Sequence, residues 1–381
     1  GLPSDDDMGN SEVGHNALGA GRIFAQGAKL VNKAIETGAI FESAVWRQAI
    51  DHGRHGTLHL IGLHSDGGVH SSLEHLYALL RRAADEGVTS CAVHILHDGR
   101  DVDSRSALRY IERTEAVLDE INAGSRRDGD ARRHFRIASG GGRMTITMDR
   151  YEADWGMVEA GYLCHAHGEG PCFSSAAEAV ETMYGETDAG DQYLGRFVVA
   201  DDDGPVGTID DGDAVIFFNF RGDRAIEISR AFEEDDFVVF DRTSSSGRRA
   251  PEVFYAGMLQ YDGDALVPKQ YLVAPPRIDR VMGQFLCAEG IRSFAISETQ
   301  KYGHVTYFWN GNRSGHIDAD LETYVEIPSD RIEFDKAPAM KVREITDETI
   351  DLLRSGEYRF GRLNFPSGDM VGHTGHLHAT I

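Results

Sequence analysis

The chain has 381 residues, 41% of them hydrophobic and 26% charged, with a formal net charge of −24. Its length and apolar content suffice for two or three packed domains, and no apolar run reaches the roughly 18 residues that cross a bilayer. The acidic balance argues against nonspecific nucleic-acid binding, which needs a basic surface to displace phosphate counterions, while a local arginine cluster could still hold a small anion.

In chain order, Gly9-Asn10-Ser11 reads as a turn that opens a helix at Ser11. The serine is either a plain N-cap or a group placed among backbone N–H donors that favour a phosphate. "GTLHLIGL" (Gly56 to Leu63) reads as a buried strand and "SLEHLYALLRRAADEG" (Ser72 to Gly87) as an amphipathic helix. "CAVHILHD" (Cys91 to Asp98) is the next strand, "SALRYIERTEAVLDEI" (Ser106 to Ile121) the next helix, and "AVIFFNF" (Ala214 to Phe220) a later strand. Strands alternating with helices predict an α/β fold with parallel strands. The polar run Asn122 to Arg133 is expected to be an exposed loop, and "YLVAPPRI" (Tyr271 to Ile278), with the only Pro-Pro pair, a stiff interdomain linker. The N-terminus lacks the basic and apolar regions of a signal peptide, so a cytoplasmic protein is expected.

Candidate chemistry concentrates where strands end. Arg100 and Asp101 follow one strand, and Arg221 and Arg224, three apart, follow another. Such arginines match phosphate or carboxylate bidentately, or else pair with the abundant acids. Asp369 and His373 are four apart, a spacing that suits two ligands of a divalent metal on one helix face or a surface ion pair. The four cysteines, Cys91, Cys164, Cys172 and Cys287, form no disulfide framework and are expected to be reduced thiols. Cys164, His165, His167 and Cys172 lack the paired spacing of a zinc site.

Seven segments, "LPSDDDMGNSEVGHNALGAGR", "HSDGGVH", "HDGRDVD", "GGRMTITMDRY", "NFRGDRA", "SETQKYGHVTYFWNG" and "DMVGHTG", are in the same order as in the cofactor-independent phosphoglycerate mutases. The chain resembles that family over essentially its whole length, and in particular the branch of plants and trypanosomatids. The resemblance implies an alkaline-phosphatase-like metal domain (residues 1–26 and 276–381) interrupted by an inserted α/β phosphotransferase domain (27–275). It further implies that Ser11 takes the phosphoryl group from 3-phosphoglycerate and returns it to the 2-hydroxyl of the glycerate. Ser11, Asp369 and His373 would be metal ligands. His70, Arg100, Asp101, Arg150, Arg221, Arg224 and Lys301 would hold substrate, with His70 and Asp101 also moving protons. Bacterial members carry a further arginine in the segment matching Glu152 to Met157, which this chain lacks, and Arg143 would take its place. His376 and His378 lie outside the family's ligand positions, and "DHGR" (Asp51 to Arg54) only imitates a ligand motif.

Two divalent metals, Mn²⁺ first with Mg²⁺ or Co²⁺ as substitutes, and no 2,3-bisphosphoglycerate are implied, in a monomer whose partner is the small-molecule phosphoglycerate and neither nucleic acid nor membrane. The family also has metal-ligand motifs preceding and following the stretch matched here, so the 381 residues read as a fragment expected to be inactive by themselves. The alternatives are another phosphomutase or phosphatase of the alkaline-phosphatase superfamily, or a phosphoglycerate-binding homologue without turnover.

Only six lysines are present, against abundant aspartate. If that bias is an adaptation to salt, screening relieves mutual repulsion, and the melting temperature rises between dilute buffer and molar chloride. A flat or falling curve assigns the bias to genome composition.

Overall fold

The computed structural model describes residues 11–24, 27–128, 132–150, 152–263, 265–276, 278–313, 315–330, 332, 334–372 and 374–381, without the side chains of 11, 12 and 125–128. The chain forms two compact units, Gly27–Pro275 and Gly1–Gln26 with Pro276–Ile381. The Pro275-Pro276 pair is thus one place where the chain passes from one unit to the other.

The larger unit contains β1 (Leu58–Leu63), β2 (Ser90–His97), β3 (His134–Gly142), β4 (Cys172–Phe173), β5 (Phe197–Asp201), β6 (Gly204–Pro205), β7 (Ala214–Phe217) and β8 (Phe254–Gly257). Their order is β4-β5-β3-β2-β1-β7-β8, with β6 on β5. The pairs β3/β2, β2/β1, β1/β7 and β7/β8 are parallel, and β3/β5 is antiparallel. The sheet therefore runs outward from β1 to β3, then returns to place β7 on the other side of β1. That reversal of strand order opens a crevice beyond the carboxyl ends of the strands.

Every residue of β1 is buried, as expected of a strand covered by helices on both faces. Leu58 and Leu60 join one core with Trp46, Leu76 and Tyr110, while Ile61 and Leu63 join another with Val158, Tyr162 and Ile228. The period-2 alternation of side chains divides the strand between the two cores. The helix expected to end at Ile121 runs on, spanning Ala107–Asp128, which corrects the reading of Asn122 onward as loop. No proline interrupts the run, and the Asn122 side-chain amide donates to the Phe135 carbonyl and accepts from the Phe135 N–H, both at 2.9 Å. A polar composition here marks the outer turns of a docked helix.

The smaller unit contains β9 (Ser293–Glu298), β10 (Glu322–Ile327) and β11 (Phe360–Asn364), with β9 central and parallel to both neighbours. Phe294 and Ile296 of β9 pack with Ile345 of the Val342–Arg354 helix. Arg362 of β11 is buried, its Nε donating to the Val305 carbonyl at 2.6 Å and its Nη2 3.4 Å from Glu322.

Burial lowers the pKa of several core histidines from 6.5, to about 3 for His64 and His165 and about 4 for His75, and well below the usual value for His94. Below about pH 6.5 the unfolded chain takes up protons that these folded-state imidazoles refuse. Their neutrality therefore stabilises the fold fully above that pH, and the contribution is lost as pH falls from there toward about 3. Urea midpoints measured between about pH 8 and about pH 4.5 should begin to drop near 6.5. A midpoint constant down to the carboxylate range contradicts this.

Candidate active site

Four parallel strands deliver the polar residues of the larger unit from the same edge. Ser65 and His70 follow β1, Asp98, Arg100 and Asp101 follow β2, Arg143 follows β3, and Asn219, Arg221, Asp223 and Arg224 follow β7. Asp98 is the hub of the β2 turn. Its Oδ1 accepts from Arg143 Nη1 at 2.8 Å and from the N–H groups of Arg100 and Asp101 at 3.2 and 3.1 Å, and its Oδ2 accepts from Ser65 Oγ at 2.6 Å. Gly99 makes that turn with φ +63, and a Cβ there would stand 2.8 Å from the Ser104 carbonyl oxygen. Arg143 is 2% exposed and also reaches Asp101 Oδ2 at 2.6 Å. Its Nε has no hydrogen-bond partner among the described residues.

Asp223 is the second hub. Its Oδ1 lies 3.0 Å from Arg221 Nε and 3.6 Å from His70 Nδ1, and its Oδ2 3.7 Å from Arg150 Nη1. Arg224 donates Nη1 to the Met148 carbonyl at 2.6 Å. Burial, and then the field of Arg143, Arg221, Arg224 and Arg150, pushes the His70 pKa down to about 2. His70 is therefore neutral at physiological pH, with one ring nitrogen able to accept a hydrogen bond. Burial and the neighbouring Arg150 and Arg143 also lower the pKa of Arg224. Three guanidinium groups, those of Arg143, Arg150 and Arg221, thus lie within 4 Å of the carboxylates of Asp98, Asp101 and Asp223, and Arg224 adds a cation bonded to a carbonyl. The surplus is positive in a chain whose sum is −24, and an anion of more than one charge would neutralise it.

Lys301, Asp369, Ser11 and His373 belong to the smaller unit. Lys301 lies in the Thr299–Gly303 helix that follows β9, and Asp369 in the Ser367–Gly372 helix that follows β11. They form an ion pair at 2.6 Å, with side chains 10% and 45% exposed. Ser11 opens the Ser11–Ala20 helix as expected, but its side chain lies outside the described residues, as does His373. Among the described residues no three His, Cys, Asp or Glu side chains gather as a metal site.

The structure disperses the Cys164 to Cys172 group: Cys164 Sγ is 3.4 Å from the Phe197 carbonyl, His167 is bonded to the Arg242 carbonyl, and Cys172 is exposed. "DHGR" lies within the Ala44–His55 helix. Sequence reasoning missed Asp98 and Asp223, the two carboxylates that fix the arginines. Their only signal is position, one at a strand end and the other between Arg221 and Arg224.

Removing one partner of a buried ion pair strands the other, at a cost of about 3–5 kcal/mol. Arg143→Ala leaves Asp98, whose side chain is 1% exposed, without its counterion, so denaturant titration should show a loss of that order. Arg221 is 49% exposed on its side chain, and Arg221→Lys should cost less than about 1 kcal/mol. Equal losses in the two variants would contradict the assignment of Arg143 as the buried member.

The family profile described as BPG-independent PGAM N-terminus matches residues 31–263. The chain is 54% identical over its whole length to the 2,3-bisphosphoglycerate-independent phosphoglycerate mutase of Trypanosoma brucei brucei, covering 68% of that protein. It is 53% identical to the mutase so named from Zea mays, covering 66% of it. A Leishmania mexicana phosphoglycerate mutase, solved at low cobalt concentration, superposes with a TM-score of 0.76 at 52% identity, covering all of this chain and 68% of that one. The arginine-rich strand ends and these matches agree, and the chain belongs to the 2,3-bisphosphoglycerate-independent phosphoglycerate mutases.

Proposed function

We propose that the protein interconverts 3-phosphoglycerate and 2-phosphoglycerate through a phosphoserine on Ser11, without consuming 2,3-bisphosphoglycerate. The observation that carries the reading is the convergence of Arg143, Arg150, Arg221 and Arg224 with neutral His70 at the ends of parallel strands. A phosphate and a carboxylate on one small molecule supply the excess negative charge that this surplus calls for. Ser11 Oγ gives up its proton and bonds to phosphorus as the bond to the substrate 3-oxygen breaks, and that oxygen takes up a proton. The glycerate re-orients, and its 2-hydroxyl loses a proton and displaces the serine oxygen, which regains one.

Arg100, Arg143, Arg150, Arg221, Arg224 and Lys301 would bind and orient the glycerate and its phosphate. His70 and Asp101 hold or take the hydroxyl protons. Asp369, a hard oxygen donor, suits a divalent cation, and with Ser11 and His373 it would contribute to a metal pair, for which Mn²⁺ is our choice. When bound, such cations stabilise a serine alkoxide and the charge on the transferring oxygens. The reading extends to a monomer working in the cytoplasm; among the described residues no helix is long and apolar enough to cross a membrane.

In a chain extended by the family's flanking ligand motifs, Ser11→Ala should abolish formation of 2-phosphoglycerate and leave substrate binding largely intact. Retention of more than about a hundredth of the activity removes Ser11 from its role, since groups of this kind contribute several orders of magnitude. Release of free phosphate without 2-phosphoglycerate would reassign the chain as a phosphatase. Arg221→Lys and Arg224→Lys keep the charge and lose the fork, so both should impair turnover. Unchanged kinetics in both would reduce these arginines to ion-pair partners.

A further inference from the structure

A line of three histidines lies in the core of the larger unit, apart from the arginine site. His59, His94 and His165 are each completely buried. His59 Nε2 is 3.1 Å from Asp213 Oδ2, and His59 Nδ1 is 3.0 Å from His94 Nε2. His94 Nδ1 is 2.7 Å from Ser139 Oγ, which is 2.8 Å from His165 Nδ1, and His165 Nε2 is 3.0 Å from Thr147 Oγ1. All six ring nitrogens have partners, whereas His64, His70, His75 and His97 each leave at least one buried nitrogen without a hydrogen-bond partner among the described residues.

For neutral rings, the carboxylate at one end decides every proton in the line. Asp213 accepts from Thr57 N–H and Asp210 N–H, each at 2.7 Å, so towards His59 it also acts as an acceptor and Nε2 carries the proton. A neutral imidazole has one donor and one acceptor. His59 Nδ1 then accepts from His94 Nε2–H, and His94 Nδ1 accepts from the Ser139 hydroxyl. Ser139 Oγ accepts from His165 Nδ1–H, leaving His165 Nε2 to accept from the Thr147 hydroxyl. The sheet builds this alignment with an irregularity in register between Val93 and His94, which sets Ser139 opposite His94.

The far end of the line holds a strained residue. Thr147 has φ +68, a conformation a β-branched residue adopts only when its surroundings over-determine it. Three contacts do so, all from the Trp155–His167 helix. Thr147 N–H donates to the Met157 carbonyl at 2.9 Å, its hydroxyl meets His165, and Gly161 leaves room for it: a Cβ on Gly161 would stand 2.1 Å from Thr147 Oγ1. The next residue, Met148, presents the carbonyl that receives Arg224, and two further on is Arg150, facing Asp223.

We propose that Asp213, His59, His94, Ser139, His165 and Thr147 form a one-directional, all-neutral hydrogen-bond line that fixes the Thr147 backbone and through it the Met148 carbonyl, making Thr147 and His165 positioning residues for Arg224. The claim that this matters to substrate rests on the phosphoglycerate reading above; the line itself and its hold on Arg224 do not.

Histidine tautomers are read from long-range proton–nitrogen NMR spectra of the wild-type protein near neutral pH. The expected result is Nε2–H for His59 and His94 and Nδ1–H for His165. The opposite tautomer at any of the three, or a charged ring, overturns the line. Positioning is read from Thr147→Val, which keeps shape and branching and removes the donor, against Thr147→Ser, which keeps the hydroxyl. The valine variant should shift the Arg224 Nε–H resonance and raise KM for 3-phosphoglycerate several-fold more than it lowers kcat, and the serine variant should restore both. An unmoved Arg224 resonance in Thr147→Val, or equal effects of valine and serine, overturns the positioning role. Should Thr147→Val fail to fold, Ser139→Ala takes its place: a shifted Arg224 resonance supports the role and an unchanged one overturns it. If the wild type shows the expected tautomers and Arg224 responses yet does not bind 3-phosphoglycerate, it is the functional reading that falls.

Discussion

The arrangement depends on holding like charges together at the ends of parallel strands. Guanidinium groups repel one another, and each loses hydration when buried. Asp98 makes this possible by doing two jobs with one carboxylate: one oxygen shapes the turn after β2 through the N–H groups of Arg100 and Asp101, and also receives Arg143. Backbone geometry and charge placement are thereby tied, so Arg143 cannot move without loosening the turn that carries Arg100. Asp223 does similar work after β7 with longer contacts, 3.0 to 3.7 Å. A carboxylate shared loosely among three cationic or polar groups leaves the arginines on it freer to turn toward a ligand than Arg143 is.

Parallel topology explains why these residues meet at all. Residues far apart in sequence, such as Ser65 and Asp98 or Arg143 and Asp98, come into contact because β1, β2 and β3 run side by side in the same direction. The same rule operates in the smaller unit, where Lys301 and Asp369 follow neighbouring strands β9 and β11 and meet as an ion pair. In both units these charged residues follow the strands, while the apolar clusters are built from the strands and helices themselves.

Much of this was legible in the sequence, for reasons that differ by element. The strands and helices from Gly56 to Ile121 and the strand at Ala214 were readable because burial on both faces forces near-continuous apolar runs, with helix periodicity between them. Helix continuation past Ile121 was not, because composition reports solvent exposure and not backbone conformation, and Asn122 docks through its side chain onto Phe135. Arg100, Asp101, Arg221 and Arg224 could be read from their placement after strands, whereas Arg143, Arg150, His70 and Lys301 came forward only through the family resemblance. Asp98 and Asp223 carry no pattern of their own, since an acid among many acids becomes informative only when its partners are known. His165 was weighed as a zinc ligand beside two cysteines, and what it does instead depends on β1, β2, β3 and a helix meeting at one point, which no local spacing encodes.

The histidines show how polar groups can enter a packed core without charge. A buried carboxylate or ammonium needs a counterion, whereas a neutral imidazole needs only one donor and one acceptor neighbour. In a line of such rings each unit satisfies the next, so the demand for a charged or backbone partner falls on the ends alone. One end is met by Asp213, itself anchored by two backbone N–H groups where β7 begins. The other is met by a threonine hydroxyl, whose residue sits in a backbone conformation that branched side chains resist. Protonating any ring would turn its acceptor nitrogen into a donor facing a donor unless every tautomer and hydroxyl from there to Thr147 reversed as well, so a change of charge cannot stay local to one ring. That is why the strong lowering of the His94 and His165 pKa values, caused first by burial, and the full pairing of their nitrogens describe one property: the core holds these rings in place by keeping them neutral.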